Sequence, residues 1–209
     1  MPQIVRSFFL LCALLLPFTS HAAPTVLVYG DSLSAAYGIP RDRGWVHLLQ
    51  ERLSDQGYPH AVVNASISGE TTSGGLSRID STLNQYHPQL VILELGANDG
   101  LRGLPVMQMR SNLGAMIQAC KKHHAQVLLV GMRIPPNYGP RYARSFSESY
   151  PQLAKKYRVP LLDFLLEGIA GRSELTQDDG LHPNVEAQPT VLENIWQMLL
   201  PILGKPVKG

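Results

Sequence analysis

TVLVYGDSLSAAYG, residues 25–38, decides the reading of the fold. Five residues of apolar, strand-like character run into a glycine-flanked bend that carries small polar side chains. Four further stretches have strand length and apolar character: AVVN (61–64), LVILEL (90–95), QVLLVGM (126–132) and PLLDF (160–164). LVILEL and QVLLVGM are nearly continuous in apolar residues, the pattern of strands buried on both faces of a parallel sheet. Helical spacing fills the intervals. Trp45, Leu48, Leu49 and Leu53 form one apolar stripe, Leu113, Met116, Ile117 and Cys120 a second, and Val191, Ile195, Met198, Leu199 and Ile202 a third. Segments 71–86 and 145–157 carry weaker helical spacing. Alternation of this kind predicts an α/β fold, a three-layer α/β/α domain around a central five-stranded, mainly parallel sheet.

The 209 residues suit one domain. With 44% hydrophobic and 16% charged residues the chain is not a disordered or highly charged one. Residues 1–22 differ from the rest: Arg6, an apolar block from Phe8 to Phe18 interrupted by Cys12 and Pro17, then Ser20-His21-Ala22. This is the pattern of a secretory signal cut after Ala22, and the block is shorter than the ~20 residues that span a bilayer. The expectation is a leader over 1–22, a single domain over 23–209, a periplasmic address and no membrane span in the mature chain. Loss of Arg6 reduces 18 Lys and Arg by one, against 16 acids. That near-neutral balance, without a basic run, argues against nucleic acid as a partner. Cys120 is left without a disulfide partner, and monomer is the default state.

In open α/β sheets ligands bind beyond the carboxyl ends of the strands. Asp31 and Ser32 follow the first strand, Ser66 to Gly69 the second, and Gly96 to Asp99 the third, so these clusters should converge at one edge. Ser32 admits two readings. Asp31 and Ser32 can cap a following helix, or Ser32 can attack a carbonyl if a base lies within hydrogen-bond reach. The two-glycine elbow of α/β-hydrolases is absent, since Ser34 stands where the second glycine would be. Among the six histidines after residue 22, His182 has the setting of a base. DDGLHPN (178–184) puts carboxylates three and four residues before it, and Asp179 can fold back onto one ring nitrogen while the other faces Ser32. A solvated Asx turn is the alternative. Gly69 and Asn98 stand where oxyanion donors would, although each is also an ordinary turn residue.

GDSLS (30–34), NASISGETT (64–72), GANDG (96–100) and DDGLHPN (178–184) together resemble, in order and spacing, the four blocks of the SGNH, or GDSL, hydrolase superfamily. The resemblance covers essentially all of residues 23–209 and is nearest to periplasmic multifunctional esterases and arylesterases. It implies a flavodoxin-like sheet and a serine esterase acting on carboxylic esters and thioesters, including aryl esters, acyl thioesters and lysophospholipids. It further implies Ser32 as nucleophile, His182 as general base and then acid, and Asp179 rather than Asp178 as its orienting partner. The Ser32 and Gly69 backbone N–H groups and the Asn98 amide would hold the oxyanion, with the glycine before the nucleophile clearing space.

Substrate contacts are expected from Asp31, Gly100, Leu101, Ile134, Pro135 and Tyr138, on the bend after the first strand and the loops after the third and fourth. The resemblance implies a loop at 99–104 that can shift when an acyl chain binds, and its two glycines, Gly100 and Gly103, are compatible with motion. No cofactor or metal is expected: zinc spacings and the dinucleotide glycine pattern are missing, and Gly75 stands where a phosphate loop requires lysine. Two rival functions share these residues, a carbohydrate O-acetylesterase of the same superfamily and a periplasmic lipid-binding protein without catalysis.

Overall fold

The computed structural model describes residues 23–206, so the leader expected over 1–22 lies outside them. Five parallel strands form the sheet: β1 (Thr25–Gly30), β2 (Ala61–Asn64), β3 (Leu90–Glu94), β4 (Gln126–Val130) and β5 (Leu161–Leu162), in the order β2-β1-β3-β4-β5. Every pairing is parallel, which sharpens the expectation of a mainly parallel sheet. Val26 to Tyr29 of β1 and Leu90 to Leu93 of β3 are buried throughout, as their unbroken apolar character requires.

Among the described residues seven helices cover the sheet: α1 (Trp45–Asp55), α2 (Thr72–Tyr86), α3 (Ala97–Leu101), α4 (Val106–Lys122), α5 (Pro140–Ser147), α6 (Ser149–Tyr157) and α7 (Gln188–Leu199). Helix α1 packs against α7, whereas α2 packs against α4 and α4 against α6, giving one layer on each face. The chain first steps from β1 outward to β2, then returns past β1 to place β3 on its other side. With right-handed crossovers, that reversal puts α1 and α2 on opposite faces. It also opens a crevice where the carboxyl ends of β1 and β3 meet.

Several boundaries differ from the sequence reading. The expected strands over 90–95, 126–132 and 160–164 run on into Leu95, Met132 and Phe164, which stay buried after the ladder has ended. The helical segment expected over 145–157 is two helices, the first entered through Gly139 (φ 90°) and Pro140. Ile202 packs on the core beyond the end of α7. The bend after β1 continues as turns, not as a helix capped by Asp31 and Ser32.

Helix α2 lies close on the sheet because of one glycine. A Cβ at Gly75 would stand 2.5 Å from Leu95 Cδ1 and 3.3 Å from Met116 Sδ, and Tyr29 Oη donates to the Gly75 carbonyl at 2.7 Å. At the neighbouring Gly74 a Cβ would meet only Glu70, with Cγ at 3.3 Å, in a side chain held by Arg78. Helix propensity alone makes Ala better than Gly by about 1 kcal/mol, which offsets that tight contact. Gly74→Ala is therefore expected to be close to neutral, whereas Gly75→Ala should destabilise by ~1–3 kcal/mol through overpacking. Urea midpoints of the two variants check this; equal effects would contradict the packing described.

Candidate active site

Strand β1 ends at Gly30, paired with Glu94 at the end of β3. Asp31 and Ser32 emerge directly above that pair. The buried Asp31 carboxylate accepts the Leu33 N–H at 3.0 Å and the Asn98 Nδ2 amide at 3.1 Å. Glu94, also buried, accepts the Asp31 N–H at 3.3 Å, and its Oε2 lies 2.6 Å from the Ser34 hydroxyl. Gly30 is required here: a Cβ would stand 2.5 Å from Glu94 Oε2. The glycine thus clears space for a buried acid beneath the bend, where the sequence reading had it clear space at the nucleophile.

Ser32 Oγ lies 2.8 Å from His182 Nε2, and His182 Nδ1 lies 2.6 Å from Asp179 Oδ2. The second Asp179 oxygen accepts the backbone N–H groups of Leu181 (2.9 Å) and His182 (3.0 Å), so the carboxylate folds back over its own loop. Burial works to raise the Asp179 carboxyl. The two N–H groups and the imidazole outweigh it and hold the group below the ordinary aspartate range. An ionised Asp179 only accepts, which places the proton on Nδ1 and leaves Nε2 free to accept from Ser32. The Tyr37 ring packs on the imidazole at 4.7 Å between centroids.

The loop after β2 reaches the same edge. Gly69 takes a left-handed φ of 79°, and Arg102 donates to its carbonyl at 2.9 Å. The Asn98 amide, in α3 where the sequence suggested a loop, donates to the Glu70 carbonyl at 3.1 Å as well as to Asp31. Asp99 then binds the Thr72 N–H (2.8 Å) and hydroxyl (2.6 Å), tying α3 to the start of α2. Among the described residues, the Ser32 and Gly69 N–H groups have no protein acceptor.

Beside Ser32 and His182 opens a cleft of about 90 Å³, walled by Leu33, Leu101, Met132, Ile134, Phe164 and Leu166, with Asn98 and Pro135 at its margin. Of the six residues expected to contact substrate, Leu101, Ile134 and Pro135 line it. Asp31 does not, because its oxygens are spent on Leu33 and Asn98 below the surface. Gly100 is packed away: a Cβ there would meet Ile134 and Phe146 within 2.7 Å. Tyr138 lies on the outer side of the wall and donates to the Leu101 carbonyl at 2.9 Å. Among the described residues no group of three or more His, Cys, Asp or Glu is placed to hold a metal ion.

The two buried acids were missed at the sequence level. Burial pushes Asp31 up to about 6, against the Leu33 N–H, His182 and the Asn98 amide, which favour its ionised form. Glu94 is raised well above the ordinary range, first by burial and then by the Asp31 charge. Glu94 is therefore the member that keeps its proton, which lowers the cost of its Oε1, an atom without a partner among the described residues. A lone acid inside the apolar run LVILEL was the one available signal.

A fold with this switch point and this serine, histidine and carboxylate is that of a hydrolase, and comparison with known proteins gives the class. Residues 28–188 match the GDSL-like lipase/acylhydrolase family, and the chain belongs to it. It is 50% identical over 191 residues to Esterase TesA of Pseudomonas aeruginosa, covering 91% of this chain and 95% of that protein. It is 43% identical over 190 residues to the Thioesterase 1/protease 1/lysophospholipase L1 of Escherichia coli K12, covering 91% and 90%. The crystal structure of a psychrotrophic esterase, EstA from Pseudoalteromonas sp., inhibited by monoethylphosphonate, superposes with a TM-score of 0.83 at 44% identity, covering 87% of this chain and 99% of that one. The resemblance read from four sequence blocks is borne out, and the chain is an ester hydrolase of the SGNH class.

Because Glu94 is raised, its contribution to stability is full below the unfolded carboxyl range and is lost as pH climbs through its folded value. A glutamine side chain at this position does not titrate. Glu94→Gln should therefore gain stability relative to the wild type between about pH 5 and about pH 8, with Asp31 unaltered. Urea unfolding at both ends of that range reads the difference; a relative loss with rising pH would contradict the protonated Glu94.

Proposed function

We propose that the chain is a serine esterase working through an acyl-enzyme on Ser32, with carboxylic esters and thioesters as substrates: aryl esters, acyl thioesters and lysophospholipids. The observation that carries this is the continuous hydrogen-bonded line from Asp179 through His182 to Ser32, at 2.6 and 2.8 Å. His182 Nε2 takes the hydroxyl proton as Ser32 Oγ attacks the acyl carbon. The imidazolium, steadied by Asp179, then gives that proton to the departing alcohol or thiol. Water repeats the sequence on the acyl-enzyme, His182 again accepting a proton, and the free acid leaves.

The developing oxyanion is held by the Ser32 and Gly69 N–H groups and by Asn98. Asn98 already spends its amide on Asp31 and Glu70 at 3.1 Å each, so the oxyanion shares a hydrogen now directed at the neutral Glu70 carbonyl. The apolar walls of the cleft suit an acyl chain rather than a sugar. The names of the relatives, an esterase and a thioesterase/lysophospholipase, favour this substrate range. We further propose that residues 1–22 are a cleaved leader, that 23–209 form one catalytic domain, and that it works as a monomer in the periplasm without a cofactor. No helix among the described residues is long and apolar enough to cross a membrane.

With a soluble short-chain aryl ester, Ser32→Ala and His182→Ala are each expected to lower kcat at least ~10³-fold. Asn98→Ala should lower it ~10²–10³-fold. Undiminished turnover by Ser32→Ala or His182→Ala would overturn the mechanism. Activity confined to acetyl esters would instead support the carbohydrate O-acetylesterase reading.

A further inference from the structure

Seven large hydrophobic side chains are exposed among the described residues, and six of them lie at one edge of the sheet. Tyr37 follows β1, Ile67 follows β2, Leu104 and Met107 follow β3, Tyr138 follows β4 and Leu181 follows β5; only Leu200, past α7, is elsewhere. Met107 is 82% exposed, in the first turn of α4. Single exposed hydrophobics are ordinary, but a ring of them around a site mouth marks an interaction surface. The most open part of the ring is a groove of about 660 Å³ between Gly103–Met107 and Tyr138–Ser145. Its two sides are tied by Tyr138 Oη to the Leu101 carbonyl (2.9 Å) and Tyr142 Oη to the Leu104 carbonyl (2.8 Å). Leu101 also lines the acyl cleft, so groove and cleft share a wall.

Charge settles what covers the groove. From Gly100 to Ser147 the chain holds seven Lys and Arg and no Asp or Glu, although the whole chain balances 18 against 16. Two of the seven, Lys121 and Lys122, belong to the far end of α4, and Arg133 is paired with Glu167 at 3.5 Å. Arg141 and Arg144, beside the groove, are exposed and form no ion pair among the described residues. A second copy docked about a two-fold axis would set these arginines against their own equivalents. We infer that this edge docks on an anionic phospholipid bilayer, with Met107 entering the acyl boundary and Arg141 and Arg144 lying on the headgroup phosphates. Helix α4 runs against the strands, so it stands with its first turn on the lipid and its far end in water. On the esterase reading above, docking also presents the acyl cleft to an ester held in the bilayer.

The test is a binding titration on the full chain carrying Cys12→Ser and Ser32→Ala, so that lipid is not consumed. Met107→Cys, labelled with an environment-sensitive fluorophore, is titrated with phosphatidylglycerol-containing vesicles and with pure phosphatidylcholine. Gln118→Cys is the control: exposed, nearly in line with 107 on α4, and about 16 Å further along the helix. The label at 107 should shift to the blue with the anionic vesicles, and the label at 118 should not. Arg141→Gln with Arg144→Gln should weaken binding roughly 30-fold, while leaving hydrolysis of a soluble short-chain ester unchanged when Ser32 is restored. No shift at 107, an equal shift at 118, or indifference to the arginine pair would overturn the proposal. So would a shift at 107 that follows protein concentration without lipid, which would give the face to a second copy. Binding is read without turnover, so its failure and that of the esterase mechanism are separate results.

Discussion

A hydroxyl and an imidazole 150 positions apart in sequence meet at 2.8 Å, and the arrangement of the site follows from that contact. Neither group alone is unusual. The contact exists because the region after β1 and the region around the start of α7 are tied to each other at two further points. Gln177 Nε2 donates to the Tyr37 carbonyl, and the backbone N–H of Trp45 donates to Gln188 Oε1. Within its own loop Gln177 also donates to the Pro183 and His182 carbonyls, which holds the loop in shape. The two long-range bonds join the first and last parts of the described chain, so the geometry at Ser32 depends on the whole sheet being assembled in order. The strand reversal between β1 and β3 then puts Asn98 beside the same bend.

Beneath this contact the fold holds two carboxyl groups that do not touch the cleft. Burying acids costs stability, and two neighbouring acids cannot both ionise cheaply. The pair persists because each has work in positioning: Glu94 holds the Asp31 N–H from below, and Asp31 fixes the Asn98 amide and the Leu33 N–H on either side of Ser32. The bend is thereby fixed by hydrogen bonds from within, which suits the nucleophilic role proposed for Ser32.

The strands were legible because β1, β3 and β4 are buried on both faces, and continuous apolar sequence has few other uses. Their ends were not, since Leu95, Met132 and Phe164 remain in the core after the backbone has left the ladder; burial and pairing are different constraints, and composition reports only the first. The start of helix α5 escaped notice because it is set by Gly139 and Pro140, not by an apolar stripe. In the site, Ser32, Gly69, Asn98, Asp179 and His182 were legible as short blocks in a fixed order. Asp31, Gly100 and Tyr138 were expected to contact substrate because they neighbour such blocks, and proximity in sequence did not say which way each faces. Glu94, Asp99 and Thr72 act through contacts between distant segments, which local pattern does not carry.

The central claim is that His182 makes Ser32 nucleophilic. Intact-protein mass spectrometry after exposure to a fluorophosphonate, followed by peptide mapping, tests it most directly. The account predicts a single adduct on the peptide containing Ser32, and none on the His182→Ala protein after the same exposure. Equal labelling of the His182→Ala protein, or an adduct on any other residue, would contradict it.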